Sequence, residues 1–422
     1  MRKKISVGLL GLGTVGGGVV KVLNKFDNIE IQKIAVRNLD KARNIDNLNP
    51  DVLTTDAESI VNNPEIKIIV EVIGGINPAL TLICKAIQNG KHIVTANKEL
   101  LAKHGKQIFE LAKKHNVVVL YEAAVAGGIP IVMPLVQSLA GNEISRIAGI
   151  LNGTTNYILT KMEEEGSAFE DVLKEAQALG YAEADPTGDV QGYDAAYKIA
   201  ILSSIAFGER INIEKIYRSG IDKISPEDID HANELGYKIK LIAMAKNCEN
   251  GLDVRVHPML ISKEHPLASI NGVLNAIVVE GDAVGQVTFS GPGAGELPTA
   301  SSVVGDILSI ASELEKEEHP LPMMRCKHES DAVMLDISQT ENKYYISVQA
   351  NNTPGVIGEL GTICGKYDIN LYSIIQHGIL EDGTARIVLL TEMASEKDVQ
   401  SAVKAFKESP SVKSVMNLIR VM

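Results

Sequence analysis

The sequence predicts an α/β chain in three parts: a doubly wound parallel sheet at the N-terminus, an α+β layer in the middle and a ferredoxin-like βαββαβ unit at the C-terminus. Three observations carry that prediction. A strand-like run at residues 4–10 passes at once into a glycine-rich turn, GLGTVG, and a helical pattern, VVKVLNKF. Strand-like and helical runs then alternate as far as Tyr121, the order of βαβ units that feed a parallel sheet. From residue 344 the order becomes strand, helix, two strands, helix, strand.

The 422 residues suffice for two or three domains with sizeable cores. A hydrophobic content of 45% and a charged content of 22% are those of an ordinary globular protein. The net charge of −12 argues against a general nucleic-acid binder, which needs a basic surface to neutralise phosphates. Cys84, Cys248, Cys326 and Cys364 lie far apart with no Cys-x-x-Cys pair, so neither a disulfide framework nor a zinc site is expected. Met1-Arg2-Lys3-Lys4 followed by an apolar run is like the start of a secretory signal, yet no small-residue cleavage site follows Lys21. The run is also too short and glycine-rich for a membrane span. The expectation is a cytoplasmic protein without a membrane or nucleic-acid partner.

GLGTVG fits G-x-G-x-x-G, a weak signal by itself. Here a strand precedes it and a helix follows, the context that a dinucleotide fingerprint requires. Gly11 permits the tight turn, Gly13 lets a pyrophosphate approach the backbone, and Gly16 allows close packing of helix on strand. With Thr14 and Val15 between them they make the cofactor-binding turn of a Rossmann-type domain, and the helix start offers amide donors to phosphates. The next strand, residues 31–36, ends at Arg37-Asn38 instead of at an acid. An acid there meets the ribose hydroxyls of NAD, whereas an arginine suits a 2′-phosphate. Arg37, helped by Lys41, therefore favours NADP(H), with NAD(H) retained as possible.

Strand-like runs at residues 66–72, 91–95 and 117–121 alternate with helical runs at 78–89 and 99–115. Ligands of such sheets bind beyond the carboxyl ends of strands. Three ends carry features: Gly74-Gly75, Thr95-Ala96-Asn97-Lys98 and Glu122. Thr95 and Lys98 are accordingly expected at the cofactor crevice; a cation in the first turn of a helix opposes the dipole, which favours a functional lysine over a surface one. In YEAAVAGGIP, residues 121–130, Glu122 and backbone carbonyls can converge on a hard cation. Read without other information, the stretch is a glycine-bearing strand exit with one acid.

The middle of the chain opens with a helical run at 134–139, a strand at 144–151 and then NGTTNYILTKM. The hydroxyls of Thr154 and Thr155 stand at a helix entrance, either as caps or with one of them on a substrate. The most informative stretch is AQALGYAEADPTGDVQGYDAAYK, residues 176–198. A helix ends at Leu179-Gly180, a Pro186-containing loop follows, and a second helix begins near Tyr193. Four carboxylates (Glu183, Asp185, Asp189, Asp194) and one lysine, Lys198, lie within sixteen residues. Asp194 and Lys198 are four apart and share a helix face. The helix continues as IAILSSIAF, an apolar run, and charge at the opening of a core helix needs a partner. An ordinary ion pair is the bland reading. Three further acids exceed what one lysine neutralises and point to a polar substrate site with a proton-handling lysine. Strands are expected at 252–260, 276–280 and 286–290, then GPGAG, with Gly293 at its centre, before an apolar helix at 299–313. That glycine loop either closes over the cofactor or makes a domain crossover.

A charge- and proline-rich stretch, residues 314–331, precedes the last unit. There a strand (344–350), a helix, a hairpin (371–377 with 384–391), a helix (396–408) and a strand (412–421) hold no catalytic constellation. The unit is expected to bind something or mediate association.

With these motifs in view, the whole chain resembles a homoserine dehydrogenase with a C-terminal ACT domain. The most specific part is Ala176-x3-Gly180-Tyr181-Ala182, Asp185-Pro186 and Asp189-Val190-x-Gly192-x-Asp194-x3-Lys198, supported by VTANKELLA, EVIGG, YEAAVAGGIP and GPGAG. The resemblance implies reversible NAD(P)H-dependent reduction of L-aspartate 4-semialdehyde to L-homoserine, in threonine, methionine and isoleucine biosynthesis. It implies Lys198 as proton donor and acceptor with Asp194 beside it, Glu183 and Asp189 holding the substrate, Tyr181 and Thr154 lining the pocket, and Lys98 reaching both cofactor and substrate. It further implies a sodium ion on Glu122 and the backbone oxygens of Val125, Gly127 and Ile129. A homodimer or homotetramer and an amino-acid effector, L-threonine, at the ACT domain are implied as well. The expected division is a Rossmann domain at 1–130 completed by about 295–325, a catalytic and dimerisation domain at 131–294, a linker at 326–343 and the ACT domain at 344–422. The competing readings are another ACT-domain amino-acid or hydroxy-acid dehydrogenase, and a non-catalytic NADP-binding sensor.

Overall fold

The structure, a computed structural model, describes residues 4–41, 45, 48–314, 330–380 and 382–422. Part of the expected linker (326–329) and of the expected completing segment (315–325) lie outside the described residues.

β1 (Ile5–Leu10), α1 (Thr14–Leu23) and β2 (Ile29–Ala35) open the chain, followed by β3 (Leu53–Thr54), α2 (Ala57–Asn62), β4 (Ile68–Glu71), α3 (Ala79–Gln88), β5 (His92–Thr95), α4 (Lys98–His115) and β6 (Val119–Leu120). The six strands form a parallel sheet in the order β3-β2-β1-β4-β5-β6. This is the doubly wound dinucleotide-fold order, reversing between β1 and β4. Parallel strands are covered on both faces and so read as continuous apolar runs. Val7, Leu9, Ile68, Ile69, Val70, Ile93 and Val94 are all fully buried. α2 went unexpected because its six residues, AESIVN, are too few to show a helical period.

β7 (Ile144–Ile150), α5 (Gly153–Glu165), α6 (Phe169–Ala178), the single-turn α7 (Thr187–Val190) and α8 (Tyr193–Phe207) come next. They lead to β8 (Glu209–Arg210), β9 (Tyr217–Arg218), α9 (Pro226–Glu234), β10 (Tyr237–Cys248), β11 (Gly251–Ser262), β12 (Leu274–Gly281), β13 (Gly285–Pro292) and α10 (Glu296–Leu314). The last part holds β14 (Ser330–Asp331), β15 (Glu341–Asn351), α11 (Val356–Lys366), β16 (Leu371–Ile379), β17 (Thr384–Thr391), β18 (Ala394–Ser395), α12 (Glu396–Glu408) and β19 (Val412–Val421). The helix expected at 134–139 is instead a π-helical turn, Pro134–Ser138.

The chain divides into two compact units. The first comprises Met1–Ile147, Tyr197–Glu214 and Leu274–Ala332. Within it α10 lies on α1, so closely that a Cβ on Gly18 would stand 2.6 Å from the Glu296 carbonyl oxygen. Val19, Val20 and Leu23 of α1 share a core with Ala300, Val303, Val304 and Ile307 of α10. Lys21 and Glu296 close the contact at 2.7 Å.

The second unit comprises Ala148–Ala196, Lys215–Val273 and Val333–Met422. β10 and β11 pair antiparallel along their whole length. Met259 and Leu260 at the end of β11 then pair in parallel with Arg420 and Val421 of β19, and the sheet runs on through β15, β17 and β16. The βαββαβ order of the C-terminal part thus appears in a sheet that is continuous with β10 and β11. Tyr344, Ile346 and Val348 of β15 bury against Leu360 of α11 and Val399 and Phe406 of α12.

Neither α9 nor β10 was expected. α9 (PEDIDHANE) is polar, though Ser225 and Asp228 form a capping box at its start. β10 (YKIKLIAMAKNC) is broken up by lysines, and Lys240 among them is 1% exposed. Its ammonium donates to Asn156 Oδ1 (3.1 Å), the Ile270 carbonyl (2.8 Å) and Asn271 Oδ1 (3.1 Å). Burial pushes this ammonium down to about 8, against the opposing pull of Glu163. The unfolded chain therefore holds more protons than the fold from pH 8 to about 10.5, and the penalty of burying the charge is relieved as pH rises through that window. The stability difference between the wild type and Lys240→Met, followed by denaturant unfolding, is expected to shift in favour of the wild type by roughly 3 kcal/mol between pH 7 and 10.5. A flat difference would contradict the assignment.

Candidate active site

The glycine turn meets three separate demands. Gly11 sits at φ +105°, and a Cβ there would meet the Val72 carbonyl oxygen at 2.9 Å. A Cβ on Gly16 would stand 2.3 Å from the Gly11 carbonyl oxygen, so the start of α1 packs directly on the turn. Gly13 is exposed, and no protein atom lies within 4 Å of where its Cβ would be. No side chain caps α1, whose N-cap is Gly13, which leaves the start of the helix suited to phosphate oxygens. Thr14 is exposed and Val15 half-buried in the first turn, and Arg37 is exposed just beyond β2.

The carboxyl ends of β4 and β5 are built around Glu71, which is fully buried. Its Oε1 accepts from the amides of Ile73 (2.8 Å) and Gly74 (3.2 Å), and its Oε2 from the Thr95 hydroxyl (2.6 Å). The Thr95 hydroxyl also accepts from the Asn97 amide at 3.1 Å, so it joins the end of β5 to the start of α4. Asn97 caps α4 through Leu100 and ties it to the Gly75 carbonyl at 2.6 Å. Lys98, half-buried, is the first residue of α4. Glu99 and Lys103 pair one turn on at 2.7 Å, and the Lys103 ammonium lies 5.4 Å from the Tyr197 ring centroid, next to Lys198. Lys198 is 8% exposed on α8.

Glu122 is buried where β6 ends. Its carboxylate accepts from the amides of Ile131 (2.6 Å), Val132 (2.8 Å) and Met133 (2.8 Å). Its own amide donates to Asp306 of α10, whose carboxyl is raised well above its ordinary value by burial. Ala126 and Gly127 take φ of +55° and +54°, curling the segment that carries the carbonyls of Val125, Gly127 and Ile129. The Gly127 carbonyl also accepts from Ser302 at 2.7 Å. A Cβ on Gly127 would meet the Gly293 carbonyl oxygen at 2.4 Å, so the GPGAG loop lies against this segment. One carboxylate with a lone pair to spare beside backbone carbonyls is a donor set that fits a hard monovalent cation. Among the described residues no cluster of three or more His, Cys, Asp or Glu side chains suits a metal, and no helix is long and apolar enough to cross a membrane.

In the second unit one residue organises the acids. Asn152 Nδ2 donates to Asp189 Oδ1 (2.6 Å) and to Asp194 Oδ2 (3.0 Å), while its Oδ1 caps α5 through the Thr155 amide (2.8 Å). The amide group bridges two carboxylates that would otherwise repel. Thr154 donates to the Tyr181 carbonyl at 2.7 Å, and the Tyr181 and Tyr157 ring centroids lie 5.0 Å apart. Glu183 is exposed, on a loop held by Gln177, which donates to its carbonyl at 3.0 Å. Gly180 and Gly192, both at φ +77°, turn the chain at either end of the acidic loop. Asn152 entered the sequence reading only as the head of NGTTNYILTKM, with no role of its own; its place ahead of Thr154-Thr155 was the available signal. The sequence reading likewise gave Glu71 no role.

The fold defines the class, a chain with a sheet in the dinucleotide-binding order and a separate segment of clustered carboxylates. The family described as homoserine dehydrogenase matches residues 130–308, the homoserine dehydrogenase NAD-binding domain residues 11–122 and the ACT domain residues 344–410. The homoserine dehydrogenase of Synechocystis sp. is 47% identical, with 99% of each chain covered. The crystal structure of a homoserine dehydrogenase from Thiobacillus denitrificans superposes with a TM-score of 0.94 at 43% identity, covering 100% of this chain and 98% of that one. A hyperthermophilic archaeal homoserine dehydrogenase in complex with NADPH matches at a TM-score of 0.63 and 28% identity, over 75% of this chain and all of its own. The chain belongs to the homoserine dehydrogenase family, oxidoreductases that act on a CH–OH group. Full-length identity does not favour the competing dehydrogenase and sensor readings.

Two outcomes test this geometry. Gly13→Ala is expected to leave the melting temperature unchanged and weaken NADPH binding at least tenfold, whereas Gly16→Ala lowers both; calorimetry and fluorescence titration read them separately. Asn152→Asp keeps an equally good cap but sets a third carboxylate against two. It is expected to raise the homoserine KM by roughly ten- to a hundredfold at pH 7 with helical content intact.

Proposed function

We propose that this chain catalyses the reversible reduction of L-aspartate 4-semialdehyde to L-homoserine, with Lys198 as the proton donor and acceptor. The observation that carries the assignment is Lys198 itself, almost wholly buried in an apolar helix one turn after Asp194. Bound NAD(P)H supplies the hydride. The chain's residues do the rest: Lys198 Nζ gives a proton to the aldehyde oxygen in reduction and takes it back in oxidation. Glu183 and Asp189 hold the substrate, the acids matching its α-ammonium group; Tyr181 and Thr154 line the pocket, and Lys98 reaches cofactor and substrate.

The dinucleotide rests on Gly11, Gly13, Thr14, Val15 and Gly16, with Thr95, Lys98 and Gly293 completing the crevice. Arg37 favours NADP(H), and the archaeal relative named with NADPH supports that preference. A sodium ion on Glu122 and the carbonyls of Val125, Gly127 and Ile129 would fix the curled segment. We further propose a cytoplasmic homodimer or homotetramer, domain limits as set out from the sequence, and L-threonine as the effector of the ACT domain.

Steady-state assays of homoserine oxidation with NADP and with NAD, with and without threonine, test this reading. Lys198→Ala is expected to lose at least a thousandfold in kcat while NADPH still binds with wild-type affinity. Near-normal turnover in that variant would overturn the role of Lys198.

A further inference from the structure

The two-residue strand β9 lies where the acidic segment meets the sheet of the second unit, and no role has yet been given to it. It pairs in parallel with β11, Tyr217 opposite Arg255 and Arg218 opposite Val256. The Ser219 amide extends the pairing to the Val256 carbonyl at 2.9 Å. The chain then presses on the acidic segment. Ile221 donates its amide to the Val190 carbonyl at 3.0 Å, and a Cβ on Gly220 would stand 2.4 Å from that same oxygen. A Cβ on Gly192 would meet Val256 Cγ1 at 3.1 Å. Backbone contact on this scale leaves the 189–194 segment little room to move independently of β9.

Successive side chains of a strand point to opposite faces. On one face Tyr217 lies under Arg420 of β19, 4.9 Å from guanidinium carbon to ring centroid, with His257 at its edge. On the other, the Arg218 guanidinium covers the ring of Tyr193 at 3.7 Å. Tyr193 opens α8, directly before Asp194. The Arg218 Nε is buried without a hydrogen-bond partner. An orphaned buried nitrogen costs stability, so hydrogen bonding through Nε does not explain this arginine. A planar guanidinium over an aromatic face does explain it, because that contact fixes the ring's position and a lysine cannot reproduce the stack.

We infer that Arg218 is a positioning residue for the acidic substrate segment: by stacking on Tyr193 it sets the first turn of α8 and hence where Asp194 presents its carboxylate. The inference rests on the reading of Asp189 and Asp194 as part of the substrate site. Its effect falls on homoserine and not on the dinucleotide, since the residues involved belong to the acidic segment and not to the glycine turn.

Homoserine oxidation by the full-length enzyme tests it in Arg218→Gln, Arg218→Lys, Tyr193→Leu, Tyr193→Phe and the double variant Arg218→Gln/Tyr193→Leu, with Asp194→Asn alongside. Arg218→Gln and Tyr193→Leu are each expected to raise the homoserine KM about tenfold with the NADP KM unchanged. The double variant is expected to be no worse than either single one, as for two residues acting through one contact. Tyr193→Phe keeps the ring and restores wild-type KM, while Arg218→Lys, which keeps the charge without the plane, does not. Multiplying effects in the double variant, an equal rise in both KM values, or an unchanged homoserine KM in both Arg218 variants would overturn the inference. A normal homoserine KM and kcat in Asp194→Asn would instead remove the underlying site reading, and the two failures are thereby told apart.

Discussion

The acidic segment of the second unit depends on one amide group. Asp189 and Asp194 come together because the single-turn α7 and the Gly192 bend leave only four residues between them, and two carboxylates at that separation repel. Asn152 resolves the conflict with one nitrogen shared by both. The same side chain spends its oxygen on the N-terminus of α5, so the position of the acids is indexed to a helix and not to a loop. Thr154, one residue into that helix, then fixes Tyr181 through its carbonyl. Loop residues that carry the clustered carboxylates thus inherit the rigidity of regular structure.

Carboxylates in the first unit obey a different logic. Glu71 and Glu122 both stand at the exits of parallel strands and both are buried, yet their described partners are neutral donors: two backbone amides and the Thr95 hydroxyl for Glu71, three backbone amides for Glu122. Such bonds are charge-assisted and hold loops that have no ladder of their own. Glu71 keeps the paired left-handed glycines Gly74 and Gly75 in place at the end of β4. Glu122 holds the start of the π-helical turn and, through its own amide, engages Asp306 on α10. A carboxylate used this way shapes the crevice by placing backbone, which is why its sequence signature is an acid before glycines and not a cluster of acids.

What the sequence shows of this fold follows from what periodicity can register. The parallel strands other than the two-residue β3, and α1, α4 and α12, were legible because apolar period and breakers agree there; α12 runs over residues 396–408, as expected. β10 was not, since Lys238, Lys240 and Lys246 disrupt its pattern while Lys240 is buried with three neutral acceptors supplied by distant residues. At the glycine turn the steric duties of Gly11 and Gly16 were legible, because a G-x-G-x-x-G turn between a strand and a helix sets them. Asn152 and Arg218 were not, because their partners lie 37 and 42 residues away for the first and across an aromatic ring for the second. Pair contacts of long range leave no local mark.

The junction of the C-terminal strands with β11 poses a question of register. Only Met259 and Leu260 of β11 pair with β19, too few for ladder bonds alone to choose among neighbouring alignments. Buried charge makes the choice. Arg420 engages Glu396 through both Nε and Nη2, and Tyr344 donates to the same carboxylate at 2.7 Å. Arg255 of β11 reaches Asn342 Oδ1 of β15 at 2.8 Å and pairs with Asp253 at 3.2 Å. Such pairs add little net stability against apolar replacements, but losing one partner leaves a buried charge at a cost of about 3–5 kcal/mol. A slip of β19 along β11 would carry Asn342 away from Arg255 and Arg420 away from the Tyr217 ring. The charges that bridge the junction therefore act less as an adhesive than as a penalty on a slipped alignment, while the Arg420–Glu396 pair holds β19 to α12 within the C-terminal part.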